Sequence, residues 1–299
     1  MTYAMHLAVY FSVYATLALS LNLIVGYAGL LTLAHAGYFA LGAYTYAIAS
    51  LHAELGLGTS ILLAASVSVV ASVLLTLPIQ RLKGDSFVLL SLAAQIWIVT
   101  LLQNWWSPDA APGTWRNLTN GSFGLTVERS PSLLWFNLDT HGELAFVAGA
   151  VAVAAAVMVS RLQNSPWGRL LKAARDDETC ARGLGKNTRA AQAQALTIGC
   201  ALAAIAGTLY AAYVGFVDAK TASLDESIMM LSFVLIGGVG NFRGPIIGAV
   251  ALLTIGELLR LADLPGSTVG TIRLLAYGAL MVVMMHVRPQ GIAGEYRFN

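Results

Sequence analysis

Nine apolar runs, most of them about twenty residues long, follow one another along this chain. A helix needs about 20 apolar residues to cross the hydrocarbon core of a bilayer. Only 11% of the residues are charged, against about 25% in a soluble domain, so the chain cannot cover a water-facing surface. The sequence therefore predicts an all-α integral membrane protein and excludes a water-soluble fold.

The runs give the expected positions of the membrane spans. They lie at 6–25, 29–50, 59–79, 86–103, 142–160, 191–214, 226–241, 244–262 and 271–288. We predict a single transmembrane domain over residues 1–299, a polytopic helical bundle of about eight to ten spans with Gly-interrupted or re-entrant segments. The run 226–241 is short enough to be re-entrant. This length leaves no room for a soluble catalytic domain.

Basic residues set the expected orientation, because Lys and Arg collect on the cytoplasmic side of a membrane protein. Their three groups are Arg81 with Lys83, the stretch from Arg161 to Arg189, and Arg288. Nine crossings with an outside N-terminus place all three groups in the cytoplasm. Residues 161–190 then form a cytoplasmic loop, residues 104–141 form an external loop, and the C-terminus is cytoplasmic. The first run lacks a basic start and is expected to be a retained span rather than a cleaved signal peptide.

Residues 165–190 form a strongly charged segment in this otherwise apolar chain. Ser165 is a suitable N-cap, and Pro166 suits the first position of a helix. An apolar stripe follows at helical spacing, made of Trp167, Leu170, Leu171 and Ala174. A second short helix is expected to start within 176–178 and to end at Gly183 or Gly185. Composition alone leaves two interpretations open: a docking segment for another protein, or an amphipathic helix on lipid headgroups.

Two apolar stretches, 26–44 and 235–248, are rich in glycine. A glycine inside a helix costs about 1 kcal/mol relative to alanine, so it is used where a helix breaks or where backbones approach closely. Interrupted segments in both halves of a chain are typical of paired repeats around a translocation path. Ordinary close packing of small residues is the alternative, and the sequence leaves both open.

Polar residues within the runs are candidates for that path, because intramembrane polar groups are costly and often functional. Together with two glycines of the second stretch, the candidates are Asn22, His35, Gln95, Gly237 and Gly238. Asn22 and Gln95 could equally bond to neighbouring helices, and His35 could cap a broken helix. Glu257 lies near the end of a run and close to Arg260, which favours a snorkelling ion pair over a proton relay.

The sequence lacks the residue clusters that enzymes use. Its five histidines are dispersed, without the spacing of metal ligands, and no nucleophile stands in a pattern with a base. Cys180 and Cys200 are the only cysteines; one lies in the charged segment and the other in the next run, so a structural disulfide is not expected. We predict a chain that is not an enzyme, with no catalytic residues and no metal site.

The nearest approach to a phosphate-binding loop is Gly185-Lys186-Asn187. A Walker A motif would need glycine at position 180 and serine or threonine at position 187, where the chain has Cys180 and Asn187. Energy for uphill transport would therefore come from a partner protein or from an ion gradient.

Several ordered motifs carry a resemblance to a known family. The segments are GYAGLLTLAHAGYFALGAYTYAI, RLKGDSFVLLSLA, SPWGRLLKAARDDETCARGLGKN, IGGVGNFRGPIIGA and the terminal RPQGI. In this order they resemble the LivM-type permease subunit of branched-chain amino-acid ABC importers. The likeness covers nearly the whole chain apart from residues 104–141, and the third segment is similar to the family's ATPase-coupling loop.

The resemblance implies an inner-membrane permease that imports branched-chain or other hydrophobic amino acids. Its implied partners are an H-type permease in a heterodimer, two cytoplasmic ATPase subunits and an extracytoplasmic solute-binding protein, with no nucleic acid. No cofactor is expected in this chain, because the ATPase partners would bind ATP. The architecture is shared with urea and amide permeases, which leaves the solute open. An ion-coupled secondary transporter is the alternative of another class, although Glu257 is its clear acidic candidate and lies near a span end.

Carried onto this chain, the coupling motif falls on an acidic residue, two small residues and a glycine: Glu178, Cys180, Ala181 and Gly185. Cys180 departs from the usual alanine, and Arg182 replaces a residue that is often acidic in relatives. The implied coupling residues are Trp167, Gly168, Arg169, Arg175, Glu178, Cys180, Ala181, Arg182 and Gly185. Among them Arg169, Arg175, Glu178 and Arg182 are expected to form a polar rim around the contact, while the apolar stripe faces either the partner or the permease's own helices.

Overall fold

The computed structural model of the chain describes residues 2–52, 55–78, 84–112, 114–127, 132–133, 136–137, 141–261, 266–288 and 290–293. Within these residues the chain forms eleven α-helices and four two-residue strands. The helices are α1 (Thr2–Asn22), α2 (His35–His52), α3 (Leu57–Thr76), α4 (Asp85–Asn104), α5 (His141–Asn164), α6 (Pro166–Asp176), α7 (Glu178–Gly183), α8 (Thr188–Val214), α9 (Leu224–Gly237), α10 (Arg243–Leu261) and α11 (Gly266–Val287). The strands are β1 (Leu125–Thr126), β2 (Ser132–Leu133), β3 (Phe136–Asn137) and β4 (Phe216–Val217).

Each of the nine predicted runs is occupied by a helix, which confirms the prediction of an all-α, multi-pass bundle. In the part of the chain that is described, five helices are long and apolar enough to cross a bilayer. They are Tyr3–Tyr27, Leu57–Thr76, Asp85–Asn104, Gly142–Asn164 and Thr188–Val214. Arg81 and Lys83, on which the first part of the orientation argument rests, lie outside the described residues, as does the side chain of Arg260.

Two runs differ from simple spanning helices. The run predicted at 29–50 begins as a helix only at His35, because residues 28–34 are not helical and α1 ends in a π-helix, Leu23–Tyr27. Helix α9 has 14 residues, which at 1.5 Å per residue is about 21 Å, too short for a hydrocarbon core of about 30 Å. The re-entrant interpretation of the run 226–241 therefore agrees with the length of α9.

Helix α8 lies at the centre of the bundle and packs against α1, α2 and α3. Its contact with α2 is close because both helices carry a glycine where they cross. A Cβ at Gly207 would overlap the carbonyl oxygen of Phe39, and a Cβ at Gly42 would overlap that of Ala204. Small residues give dispersion contacts between backbones, which bind helices together where lipid offers no hydrophobic driving force.

The loop between α4 and α5, predicted to be external, lies at the opposite end of α8 from the charged segment. Strand β1 pairs with β4 in antiparallel register, Leu125 with Val217 and Thr126 with Phe216. Strand β4 follows the last residue of α8, whereas the charged segment precedes its first residue, and 27 residues of helix separate the two by about 40 Å. The two loops predicted on opposite sides of the membrane are thus at opposite ends of the bundle.

Candidate functional site

The charged segment forms two short helices, α6 and α7, at one end of the bundle. The predicted N-cap is confirmed, since the Ser165 hydroxyl accepts the backbone N–H of Gly168 at 3.2 Å. Gly168 is needed at the turn from α5 into α6, because a Cβ there would come within 2.5 Å of the Leu162 carbonyl oxygen. These two residues set the direction in which α6 leaves the membrane-spanning part.

The apolar stripe of α6 faces the protein's own helices. Leu171 is fully buried in a cluster with Leu23 and Tyr27 of the π-helix and with Ala191 and Ala195 of α8. Trp167 and Leu170 pack against the same cluster from its edge. The stripe is thus covered by the chain itself, and the opposite face of α6 is the one left for a partner.

Helix α7 begins within the predicted range 176–178, and Asp177 is its N-cap. The Asp177 carboxylate accepts the backbone N–H groups of Thr179 at 2.8 Å and of Cys180 at 3.0 Å. Glu178 forms an ion pair with Arg182 one turn later, and the Arg182 Nε donates to the Thr188 hydroxyl at 3.1 Å. Glu178 and Arg182 therefore attach α7 to the start of α8 rather than standing free on a rim.

The outer surface of this element is made by residues on both helices and the turn after them. Its exposed residues include Arg169, Thr179, Cys180, Gly183, Leu184, Gly185 and Lys186. We call this set the outer surface of α6–α7. Leu184 is 79% exposed, and a Cβ at Gly183 or Gly185 would meet no atom within 4 Å. Gly185 has a φ of +73°, a conformation that glycine adopts without strain. An apolar side chain is thus presented to the outside between two small residues.

The thiol of Cys180 lies within this surface and has an altered acidity. The Asp177 carboxylate accepts a hydrogen bond from the thiol and repels its charged form, so the pKa of Cys180 is raised. Hydrogen bonds from Cys180 and Thr179 in turn lower the pKa of the Asp177 carboxyl. The thiol is exposed but mostly protonated at neutral pH, which makes it a slow nucleophile there.

Arg175 differs from the other predicted rim residues, because its side chain turns inward. Its side chain is 12% exposed, and its guanidinium donates to the carbonyl oxygen of Gly26 in the π-helix. It also pairs with Asp176 at 3.1 Å. Arg175 thus contacts the interrupted end of α1 and not the outer surface of α6–α7.

Three of the five path candidates lie together at the end of the bundle near α6. The Asn22 side chain donates to the Asn241 carbonyl at 2.9 Å and accepts the Gly240 N–H at 3.2 Å. A Cβ at Gly237 would overlap the carbonyl oxygen of Gly244, and Gly238 has a φ of +115°. Asn22 therefore fastens α1 to the α9–α10 turn, in which Gly237 and Gly238 allow the close return of the chain.

The other two path candidates, His35 and Gln95, connect the start of α2 to neighbouring elements. His35 Nε2 lies 2.8 Å from the Ser20 hydroxyl of α1. The Gln95 side chain accepts the Gly37 N–H at 2.9 Å and donates to the Ala222 carbonyl. Gln95 therefore bridges the beginning of α2 and the turn that precedes α9, at the middle of α4.

Glu257 is placed by a contact other than the predicted one. Its carboxylate accepts a hydrogen bond from the Tyr3 hydroxyl at 3.0 Å, so it joins α10 to the first turn of α1. The predicted partner, Arg260, has its side chain outside the described residues.

Sequence reasoning missed several residues of this site. Leu184 carried a weak signal, an apolar residue between two glycines in a charged segment. Gln163, Lys172 and Gln192 contact the π-helix region: Gln163 accepts from the Tyr27 hydroxyl, the Lys172 ammonium lies 5.3 Å from the Tyr27 ring centroid, and Gln192 donates to the Ala28 carbonyl at 3.4 Å. Because these pairs are far apart in sequence, no local pattern could have joined them.

A family model described as "Branched-chain amino acid transport system / permease component" matches residues 3–285. The high-affinity branched-chain amino acid permease LivM of Escherichia coli (strain K12) is 33% identical over 302 residues, covering 94% of this chain and 67% of the relative. A probable LivM of Methanocaldococcus jannaschii is 24% identical, covering 96% and 92%. LivH of E. coli (strain K12), also a permease, is 26% identical, covering 95% and 92%. No solved structure gives a significant match.

Proposed function

The chain belongs to the family of branched-chain amino acid transport permeases, and from this premise we propose that it moves branched-chain or other hydrophobic amino acids inward as part of an ATP-driven, binding-protein-dependent importer. The family match confirms the resemblance carried by the sequence motifs. The observation that carries the proposal furthest is the outer surface of α6–α7, which leaves an apolar residue uncovered at one end of a membrane bundle.

The physical need for partners follows from the solute. A zwitterion leaves water at a cost of tens of kcal/mol for isolated charges by Born estimates, so it needs a transient path. Positions 180 and 187 lack the glycine and the serine or threonine of a Walker A motif. We propose that two cytoplasmic ATPase subunits supply the energy. An extracytoplasmic solute-binding protein would select the solute.

We also propose that the second permease of the complex is an H-type chain. The similarity to LivH over 95% of this chain supports two related bundles facing each other as a heterodimer. Two related chains would form a path between them in the way that repeated halves do within one transporter.

The charged segment would lie on the cytoplasmic side of the inner membrane. Arg161 lies in the last turn of α5, just before this segment, and Arg288 follows the last residue of α11. The residues after Arg288 return to the same end, where the Ala293 N–H donates to the Gly237 carbonyl at 2.9 Å. A common end for these basic residues supports a cytoplasmic C-terminus by the positive-inside rule.

Docking of the ATPase subunit is proposed on the outer surface of α6–α7. Leu184 would enter an apolar pocket of the ATPase, with Arg169 and Lys186 at the polar edge and Gly183 and Gly185 allowing close approach. Burying a leucine side chain contributes about 1.5–3 kcal/mol, so one exposed residue can control the affinity of the contact.

Replacing Leu184 by aspartate is expected to weaken association with the ATPase subunits roughly 10- to 100-fold, because the apolar contribution is lost and a charge is desolvated. The measurement is co-purification of the ATPase subunits with the permease pair in detergent, over a range of ATPase concentrations. ATP-dependent uptake in proteoliposomes should fall in parallel.

Leu184→Ile is the matched control, since it keeps the apolar surface and should retain parental affinity. Thermal stability of Leu184→Asp should equal that of the parent, because the side chain is 79% exposed. Parental affinity in Leu184→Asp would show that the ATPase binds elsewhere on the permease.

A further inference from the structure

Helix α6 rests on the place where α1 loses its regular geometry. In the π-helix Leu23–Tyr27 the Ala28 N–H bonds back to the Leu23 carbonyl at 3.2 Å. Single π-turns inside α-helices occur frequently at functional sites. The end of α1 is thus an irregular segment whose carbonyl groups need partners other than the next turn of helix.

Arg175 supplies such a partner from the charged segment. Its guanidinium donates to the Gly26 carbonyl, and a cation is favoured there because the C-terminal end of a helix carries negative partial charge. The aliphatic part of the same side chain fills the space beside Gly29: a Cβ at Gly29 would lie 2.7 Å from Arg175 Cγ and 3.3 Å from its Cβ. Arg175 therefore donates a hydrogen bond to Gly26 at one end of the turn and packs against Gly29 at the other.

The same turn is fixed to the α9–α10 connection on its other side. A Cβ at Gly26 would lie 2.8 Å from the Gly240 nitrogen, so the two glycine-rich stretches touch directly. The Asn241 side chain donates to the Ala293 carbonyl at 2.7 Å. A continuous set of contacts thus runs from α6 through Gly26 to the ends of α9 and of the described chain.

We propose that Arg175 is a positioning residue that makes α6 and the Gly26–Gly29 turn move as one unit, so that displacement of α6 by the ATPase shifts the inner ends of α1 and α9. The proposal rests on the proposed function above and deepens it. Arg175 and Leu184 have different roles in this proposal. Leu184 binds the ATPase, whereas Arg175 lies behind the docking surface and transmits the displacement of α6 to the Gly26–Gly29 turn.

The test is Arg175→Gln in the full complex, reconstituted in proteoliposomes with its ATPase subunits and binding protein. We expect co-purification of the ATPase within about twofold of the parent and ATP hydrolysis retained, while uptake per ATP hydrolysed falls at least tenfold. Arg175→Lys keeps a cation for the Gly26 carbonyl and should restore part of the coupling. Arg161→Gln, at an exposed arginine at the end of α5, is the control and should keep the parental ratio.

Two results would overturn the proposal. One is an unchanged ratio of uptake to hydrolysis in Arg175→Gln with the complex assembled. The other is a loss of ATPase association in Arg175→Gln, because Arg175 would then be part of docking or folding. Failure of the docking proposal would appear separately, as parental ATPase affinity in Leu184→Asp.

A covalent link provides a second measurement that does not depend on the first variant. A Cβ built on Gly29 lies 3.3 Å from that of Arg175, just below the disulfide range of about 3.5–4.5 Å. The φ of +70° at position 29 strains a cysteine there equally in the reduced and the oxidised protein. In Gly29→Cys/Arg175→Cys with Cys180→Ala, the reduced protein should hydrolyse ATP with little uptake, and oxidation should restore uptake per ATP. Oxidation that forms the disulfide and lowers uptake further would show that α6 and the turn separate during transport, contrary to the proposal.

Discussion

Valine in place of Gly207 is expected to remove nearly all folded permease from detergent extracts. A Cβ at this position overlaps the Phe39 carbonyl oxygen and lies 3.0 Å from the Ala43 nitrogen, so backbone rather than a flexible side chain would have to move. Overpacking costs about 1–3 kcal/mol where side chains can adjust and more where they cannot. Helices α2 and α8 would separate, and α1 and α3 also pack on α8.

The measurement is the monodisperse fraction and the thermal midpoint by size-exclusion chromatography after heating. Gly149→Val on α5 is the matched control, because a Cβ there meets no atom within 4 Å; its midpoint should stay within the range of a surface substitution, about 0.5 kcal/mol. Equal midpoints for the two variants would contradict the close contact between α2 and α8.

Leucine in place of Gln95 is expected to have the next largest effect. The side chain is 1% exposed, and its loss leaves the Ala222 carbonyl without this partner, while the Gly37 N–H keeps the Ala34 carbonyl at 3.1 Å. A buried group left unsatisfied costs about 1–3 kcal/mol, so roughly that much stability should be lost through the Ala222 carbonyl. Uptake should fall with it, because Gln95 fixes the start of α2 relative to the turn before α9.

Gln103→Leu provides the comparison for Gln95→Leu, since it makes the same chemical change two turns further along α4 at an exposed position. That variant should keep parental stability and uptake. A Gln95→Leu protein as stable as Gln103→Leu would show that water or a rearranged backbone satisfies the Ala222 carbonyl.

The helices could be predicted because an apolar run of about twenty residues has one stable form in lipid, a helix with its own hydrogen bonds satisfied. The cap of α6 was equally predictable, since Ser165 accepts the backbone N–H of a residue only three positions away. The π-helix at the end of α1 and the late start of α2 depend instead on partners distant in sequence, such as Arg175 and Gln95. Local patterns do not encode those contacts.

The candidate site was predictable as a segment and not as a set of orientations. Spacing placed Trp167, Leu171 and Ala174 on one face of α6. Whether that face packs on the permease's own helices or on a partner depends on the positions of the end of α1 and the start of α8. As a charged residue, Arg175 was expected on the exposed face of α6. It lies next to the buried Ala174, and its side chain contacts the Gly26–Gly29 turn instead. Leu184 had only the weak signal of an apolar residue between two glycines, and its 79% exposure identifies it as part of the surface.

The most direct test of the account uses the native thiol of Cys180 as a reporter of ATPase contact. Labelling with a maleimide is done near pH 8.5, because the raised pKa of this thiol keeps thiolate scarce at neutral pH. Cys200 is 1% exposed and should stay unlabelled, which assigns the signal to Cys180. We predict that the assembled complex labels at least tenfold more slowly than the permease without its ATPase subunits. Equal labelling rates in the two samples would contradict docking on the outer surface of α6–α7.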